Sequence, residues 1–380
     1  MVSAGHTVLV AGLYMPGYGG SDFETDNGVK VWRKRLSTDI GLITNKFSIV
    51  DKILLKFLSV SGIYQRDIKK SILKFNRFID ALCSEYNVDI IEWPDYNDWF
   101  QYLTVLLQWS ELNVPLVVKF HGTHSFLNDP EQQPVKNKLY ELEKEHIDRA
   151  NAFIAVSRHT SESYRGLYAL DKPVMILYNS IELPALNYKA SAAKGKIVFA
   201  GAISKRKGVL SLIRAWNILH TKHPGTTLEI FGSGKINVFL KEVRPEIKHS
   251  IHYRGFRPKE EIYHSMSSAA AAIFPSYSEC FAFAPLEAMA AGCPVINTER
   301  FSGPELVTHG INGLLINPDD PVQMANAMSS LLESESLREK FSANGRKTVE
   351  ERFTIDRSAK DHLRFYEEVI KKYHKKHLPV

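Results

Sequence analysis

Two glutamates eight positions apart, Glu279 and Glu287, bracket the apolar stretch CFAFAPL. An ionised carboxylate is a two-oxygen acceptor suited to the hydroxyls of a sugar or a ribose. The run AAAAIF before them has the length and composition of a buried parallel strand that ends at Pro275. Pro285 is placed at the first helical position, where a missing N–H costs nothing and φ is already helical. Gly292 stops that helix, Pro294 prevents its return, and PVIN opens the next strand. The N–H groups of Phe281, Ala282, Phe283 and Ala284 would then face outward at the carboxyl end of a parallel sheet, a ready anion site. Two acids beside a phosphate cradle point to a phosphorylated, polyhydroxylated ligand such as a nucleotide sugar.

Such a site needs strands and helices to hold it. Apolar strands are predicted at TVLVAGLY, VKVWR, DIIEW, PLVVKFHG, AFIAVS and VMILYNS, and helices at DIKKSILKFNRFIDALCSEY, NDWFQYLTVLLQWSEL and VKNKLYELEKEHIDRA. The second half repeats the alternation with strands in KIVFAGA, TLEIFGSG, IHYRG, AAIFPS and PVINTE. Strand–helix alternation gives parallel sheets covered on both faces. Between Ile181 and Gly195 both periodicities lapse, which marks a linker. The expected fold class is therefore α/β, with two Rossmann-like doubly wound domains joined near residue 185. Their ligand crevices would lie at strand carboxyl ends, facing one another.

A chain of 380 residues with 44% hydrophobic content supports two such cores. No apolar run is long enough to cross a bilayer, and no basic segment followed by an apolar one opens the chain. Cys83, Cys280 and Cys293 are not spaced for zinc or a redox pair, which fits a reduced, cytoplasmic compartment. The net charge of +6 is concentrated between Lys30 and Arg77 and in the tail KKYHKKH. DKILLKFLSVSGIY interleaves lysine with apolar residues. An anionic membrane surface on the inner face of the cytoplasmic membrane is one reading, and a solvated helix face is the other. Nucleic acid is not expected as a partner, because no nucleic-acid motif accompanies the charge.

SECFAFAPLEAMAAGCPVI resembles the Glu–seven residues–Glu signature of the retaining glycosyltransferases of family 4, which have the GT-B architecture. FAGAISKRKG, FGSG, His121–Gly122, AFIAVSRHT, YNSIE and GINGLLINPDD follow the same family in the right order. The resemblance implies an acceptor domain at 1–182, joined by a carboxyl-terminal helix at 356–380, and a nucleotide-sugar-binding domain at 183–355. It implies a hexosyl transfer, with retention, from a UDP- or GDP-sugar to a glycan or lipid-linked acceptor in surface polysaccharide assembly. On that resemblance Glu287 receives the ribose hydroxyls, with a capping-box glutamate as the alternative. Glu279 lies beside the transferred sugar, or else is an exposed loop acid. Lys207 grips the donor diphosphate, or else is a surface lysine on a basic turn. His121 sits near the donor sugar, or else is a structural strand-end histidine. Gly232 and Gly234 make a tight turn close to the nucleotide, or serve the turn alone. Phe281, Ala282 and Phe283 lend donor-binding N–H groups.

Three departures from the family pattern stand out. Its usual arginine five residues before the lysine is here Ala202, leaving Arg206 or Lys205 to compensate. Two glycines of the glutamate loop are Cys280 and Ala282, which preserves the backbone donors. Gly5–His6 resembles the entry to the family's second strand, so the first strand, its glycine loop and first helix are expected to be missing from this sequence. No Asp-x-Asp pair or His/Asp cluster has metal spacing, so no metal or cofactor is expected. The rival readings are a catalytically impaired binding protein and a nucleotide-sugar epimerase of the same architecture.

Overall fold

The computed structural model of the protein describes residues 1–14, 20–36, 63–97, 103, 112–127, 138–184 and 195–376. The expected helix over NDWFQYLTVLLQWSEL, most of DKILLKFLSVSGIY, Gly19 and most of the linker lie outside them. The chain divides into two compact units. One comprises Met1–Ile154, Arg165–Val174 and His362–Val380; the other comprises Ala155–Tyr164 and Met175–Asp361.

The first unit opens with β1 (Leu9–Tyr14), β2 (Phe23–Asp26) and β3 (Val29–Arg35), in the order β1-β3-β2. β1 runs parallel to β3, but β2 runs antiparallel to it. This corrects the expectation of purely parallel sheets. Asn27 and Gly28 both have positive φ (47° and 83°), and such a two-residue turn can only return the chain as a hairpin. Helix α1 (Ile63–Tyr86) follows, burying Ile68, Ile72, Phe75 and Leu82 along one stripe. A four-stranded sheet has the order β4 (Ile91–Pro94), β5 (Leu116–Phe120), β6 (Ala152–Ala155), β7 (Val174–Ile176). Its residues Val117, Val118, Phe120 and Phe153 are almost fully buried, as in a sheet covered on both faces. The short α2 (His124–Leu127), α3 (Lys138–Asp148) and α4 (Arg158–Tyr168) complete this part of the chain.

The second unit is built on a six-stranded sheet. Its strands are β8 (Lys196–Ala200), β9 (Thr227–Phe231), β10 (Ile251–Gly255), β11 (Ala271–Phe274), β12 (Val295–Thr298) and β13 (Leu314–Ile316). The order is β10-β9-β8-β11-β12-β13, and every pairing is parallel. The chain therefore adds strands to one side of β8, then returns to add the rest on the other side. That reversal opens a crevice at the carboxyl ends of β8 and β11, where the following loops diverge. Trp216, Phe199, Ile230, Ile273, Met324 and Phe341 fill the core.

Candidate functional site

The two loops at this reversal, with the turn after β9, carry the sequence-predicted residues of the second unit. Residues 201–208 leave β8 and enter α5 (Val209–Lys222) through Gly208, whose φ of +72° only glycine adopts easily. A Cβ on Gly208 would stand 1.9 Å from the carbonyl oxygen of Pro275. The lysine loop thus lies directly on the residue that follows β11. The Tyr277 N–H donates to the Arg206 carbonyl at 2.7 Å, and the Arg206 guanidinium donates to the Ser278 carbonyl at 2.8 Å.

This stitching brings Lys207 onto Glu279. The Lys207 ammonium contacts Oε1 of the carboxylate, and the Arg206 guanidinium lies 3.6 Å from the same oxygen. Glu279 is only 9% exposed, so it is not the exposed loop acid of the alternative reading. Arg206 thus supplies, from the loop, a second cation beside Lys207 in a chain with alanine at position 202. Gly232, at φ +136°, turns after β9 with no room for a side chain, because a Cβ there would meet the Gly201 carbonyl at 1.8 Å. Its turn is thereby pressed against the lysine loop.

The glutamate loop runs into α8 (Phe283–Ala290), with Ala282 as its N-cap. Pro285 is consequently the third helical residue, not the first. The first turn tolerates it because none of those N–H groups has an intrahelical acceptor. The helix closes with the Cys293 N–H on the Ala288 carbonyl (2.9 Å) and the Gly292 N–H on the Met289 carbonyl (3.0 Å). Gly292 has φ +75°, the left-handed stop anticipated from sequence. Among the described residues, no hydrogen bond engages the N–H groups of Phe281, Ala282, Phe283 or Ala284.

Glu287 is the fifth helical residue, beyond capping-box reach, and its Oε1 is 3.0 Å from the Lys259 ammonium. Lys259 begins α7 (Lys259–Ser267) and is a residue that the sequence reading missed. Nothing local in FRPKEE announces a partner twenty-eight positions away. The Phe281 ring is buried against Tyr178, Phe283 and Phe353, with centroids 5.9–6.1 Å apart. It anchors the loop, and only its backbone is offered outward. Phe283 is exposed. Glu305, also missed, accepts from the Arg158 and His159 N–H groups at 2.8 and 3.0 Å and from the Tyr178 hydroxyl at 3.0 Å. It covers the start of α4, which Ser157 caps through the Thr160 N–H.

His121 belongs to the first unit and directly follows β5. The residue is exposed. Its pKa is nonetheless pushed down to about 4, first by loss of hydration and then by the neighbouring Lys119. Lys119 lies 3.1 Å from His362 Nε2 on the carboxyl-terminal helix α12 (Ile355–Lys376), whose Tyr366 hydroxyl donates to Glu92 at 2.5 Å. Neutral imidazole is therefore the prevailing form, able to hydrogen-bond a hydroxyl without adding charge. Among the described residues, no group of three or more His, Cys, Asp or Glu side chains could hold a metal ion, and no helix is long and apolar enough to cross a membrane.

Comparison with known proteins finds two family models in succession along the chain. A model described as glycosyl transferases group 1 matches residues 188–348, and one described as glycosyltransferase family 4 matches residues 1–183. An uncharacterised glycosyltransferase of Methanocaldococcus jannaschii is 23% identical over 96% of this chain and 90% of its own length. A poly(glycerol-phosphate) alpha-glucosyltransferase of Bacillus subtilis is 23% identical over 61% of this chain and 34% of its own. Among solved structures, sucrose-phosphate synthase from Thermosynechococcus elongatus aligns over 98% of this chain and 91% of its own, with a TM-score of 0.72 at 18% identity. The Anabaena protein HepE, solved in complex with UDP, aligns over 86% of this chain and 98% of its own, with a TM-score of 0.62 at 17% identity.

Proposed function

Because the chain belongs to the group 1 glycosyltransferases of family 4 and has their GT-B fold, we propose that it transfers a hexose from a UDP- or GDP-sugar to a glycan or lipid-linked acceptor. The setting is surface polysaccharide assembly. The solved relative bound to UDP and the glucosyltransferase relative support this reading. The observation that carries it is the loop pair at the end of β8 and β11. There Lys207 and Arg206 converge on Glu279 beside backbone N–H groups with no partner among the described residues.

In this mechanism the bond between the anomeric carbon and the β-phosphate oxygen breaks. The acceptor hydroxyl attacks from the same face, and its proton passes to the departing phosphate, so that configuration is retained. Charge grows on the diphosphate as it leaves. Lys207, Arg206 and the first turn of α8 meet that charge, which is the role a metal plays elsewhere. Lys207 exchanges the Glu279 carboxylate for the diphosphate, and the released Glu279 accepts from the hydroxyls of the transferred sugar. Glu287 accepts from the ribose diol. His121, neutral, bonds a sugar hydroxyl.

A panel of UDP- and GDP-sugars, assayed for nucleoside diphosphate release, tests the proposal. One donor is expected to turn over without added metal. Lys207→Met should lower kcat/KM about a hundredfold or more. Glu287→Ala should weaken diphosphate binding roughly ten- to a hundredfold, as loss of charge-assisted hydrogen bonds does. Unchanged nucleotide affinity in Glu287→Ala would remove it from the site.

The basic segment supports a second, peripheral contact with anionic membrane. Four of its cations are engaged within the first unit: Arg33 on Glu24 (2.6 Å), Arg35 on Asp22 (2.8 Å), and Lys30 and Lys34 over the rings of Tyr86 and Phe78 (4.4 and 4.1 Å). The exposed face of α1, with Arg66, Lys70, Lys74, Arg77 and Leu73, is what supports the contact.

A further inference from the structure

His121 and Gly122 leave the end of β5 in a turn for which Gly122 adopts φ +123°, a left-handed conformation that favours glycine. A carboxylate from the neighbouring strand holds this turn. Asp95 directly follows β4, continues the ladder by donating its N–H to the Lys119 carbonyl at 3.0 Å, and is 0% exposed. Its Oδ1 accepts from the His121 N–H at 3.0 Å, and its Oδ2 accepts from the Gly122 N–H at 3.1 Å. The next residues are tied down as well: Glu143 accepts from the His124 N–H at 2.9 Å, and Thr123 Oγ1 from the Phe126 N–H at 3.2 Å. Of these anchors, only Asp95 acts on the backbone that sets the direction of the His121 ring.

We infer that Asp95 is a positioning residue for the transfer reaction, aiming His121 through its backbone without touching substrate. A two-oxygen acceptor is required, because two successive N–H groups must be satisfied in a place closed to water. Asparagine has the same shape but one acceptor oxygen, so its NH2 group would face one of the two N–H groups. The turn must then rotate, and His121 rotates with it. The inference rests on the role proposed for His121.

The test is a double-mutant cycle on the full chain, using Asp95→Asn, His121→Ala and the pair, with the donor found in the panel. Asp95→Asn should lower kcat at least tenfold while leaving KM for the donor within twofold. In the His121→Ala background it should change kcat less than twofold, since a residue acting through His121 has nothing left to act on. Equal effects in both backgrounds, or wild-type kcat in Asp95→Asn, overturn the inference. If Asp95→Asn does not fold, Asp95→Glu, which keeps both oxygens but displaces them by a methylene, is read in the same way. A histidine-selective NMR spectrum provides a readout independent of turnover. Asp95→Asn should shift the His121 ring resonance and leave that of His220, in the second unit, in place. An unmoved His121 resonance sinks the inference even if no donor is found, whereas a shifted ring with wild-type kcat in His121→Ala faults the role of His121 instead.

Discussion

Lys207 and Lys259 each hold one of the two glutamates that open the sequence reading, and only one of these pairings was foreseeable in part. Lys207 and Glu279 both stand in motifs at strand ends, so adjacent strands would bring them together. Lys259 sits in an unmarked turn and reaches Glu287 because α7 and α8 pack side by side. Buried histidines give the residue scale a clear pH signature. His146 is fully buried with Nε2 on the Pro94 carbonyl at 3.0 Å, and burial pushes its pKa down to about 4. The folded value is depressed, so the unfolded chain binds the proton first. Stability is then full above about pH 6.5 and is lost as pH falls toward 4. The loss from this one residue is on the order of 3 kcal/mol. Denaturant midpoints measured at pH 7 and pH 5 should differ, and His146→Gln should reduce the difference while the share of His121 remains; an unchanged difference would show that the proton uptake lies elsewhere.

At the scale of elements, glycine contacts decide where loops can lie. Gly208 was legible only as a member of a motif, but its function is steric: its α-hydrogen lies where a methyl would strike the Pro275 carbonyl. Gly208→Ala combines that clash with a left-handed backbone. It should cost about 2–4 kcal/mol of stability and move Lys207 away from Glu279. Thermal melts and diphosphate release measured together check this, because activity should fall further than the folded fraction does. Helix and strand positions in the second unit were legible from period and punctuation, including the stop at Gly292. The start of α8 was misplaced by two residues, since the missing N–H of a proline is tolerated throughout a first turn. The strand VKVWR was legible, yet the antiparallel strand that pairs with it was not, because FETD lacks the apolar alternation that marks one.

For the whole molecule, charge is the property that sequence overstates. Of the basic run between Lys30 and Arg77, the cations of β3 are engaged by acids and rings of the same unit, while Arg66, Lys70, Lys74 and Arg77 are exposed on α1, the face proposed above for an anionic surface. Sedimentation with vesicles containing phosphatidylglycerol should pull down the protein at low salt and release it as salt rises. Replacing Arg66, Lys70, Lys74 and Arg77 with glutamine should abolish it, at about 1 kcal/mol per residue. Equal binding by the quadruple variant would assign the contact to another part of the chain. By itself the sequence determined the α/β class, the family and the strand-end loops that carry the candidate site, because hydrophobic period and turn residues are local properties. Only the tertiary structure decided that Lys207 and Arg206 share Glu279, that Lys259 covers Glu287 and that Asp95 holds the His121 turn. Those pairings follow from which strands and helices lie side by side, and a parallel sheet sets that order through crossovers that leave no mark in local sequence.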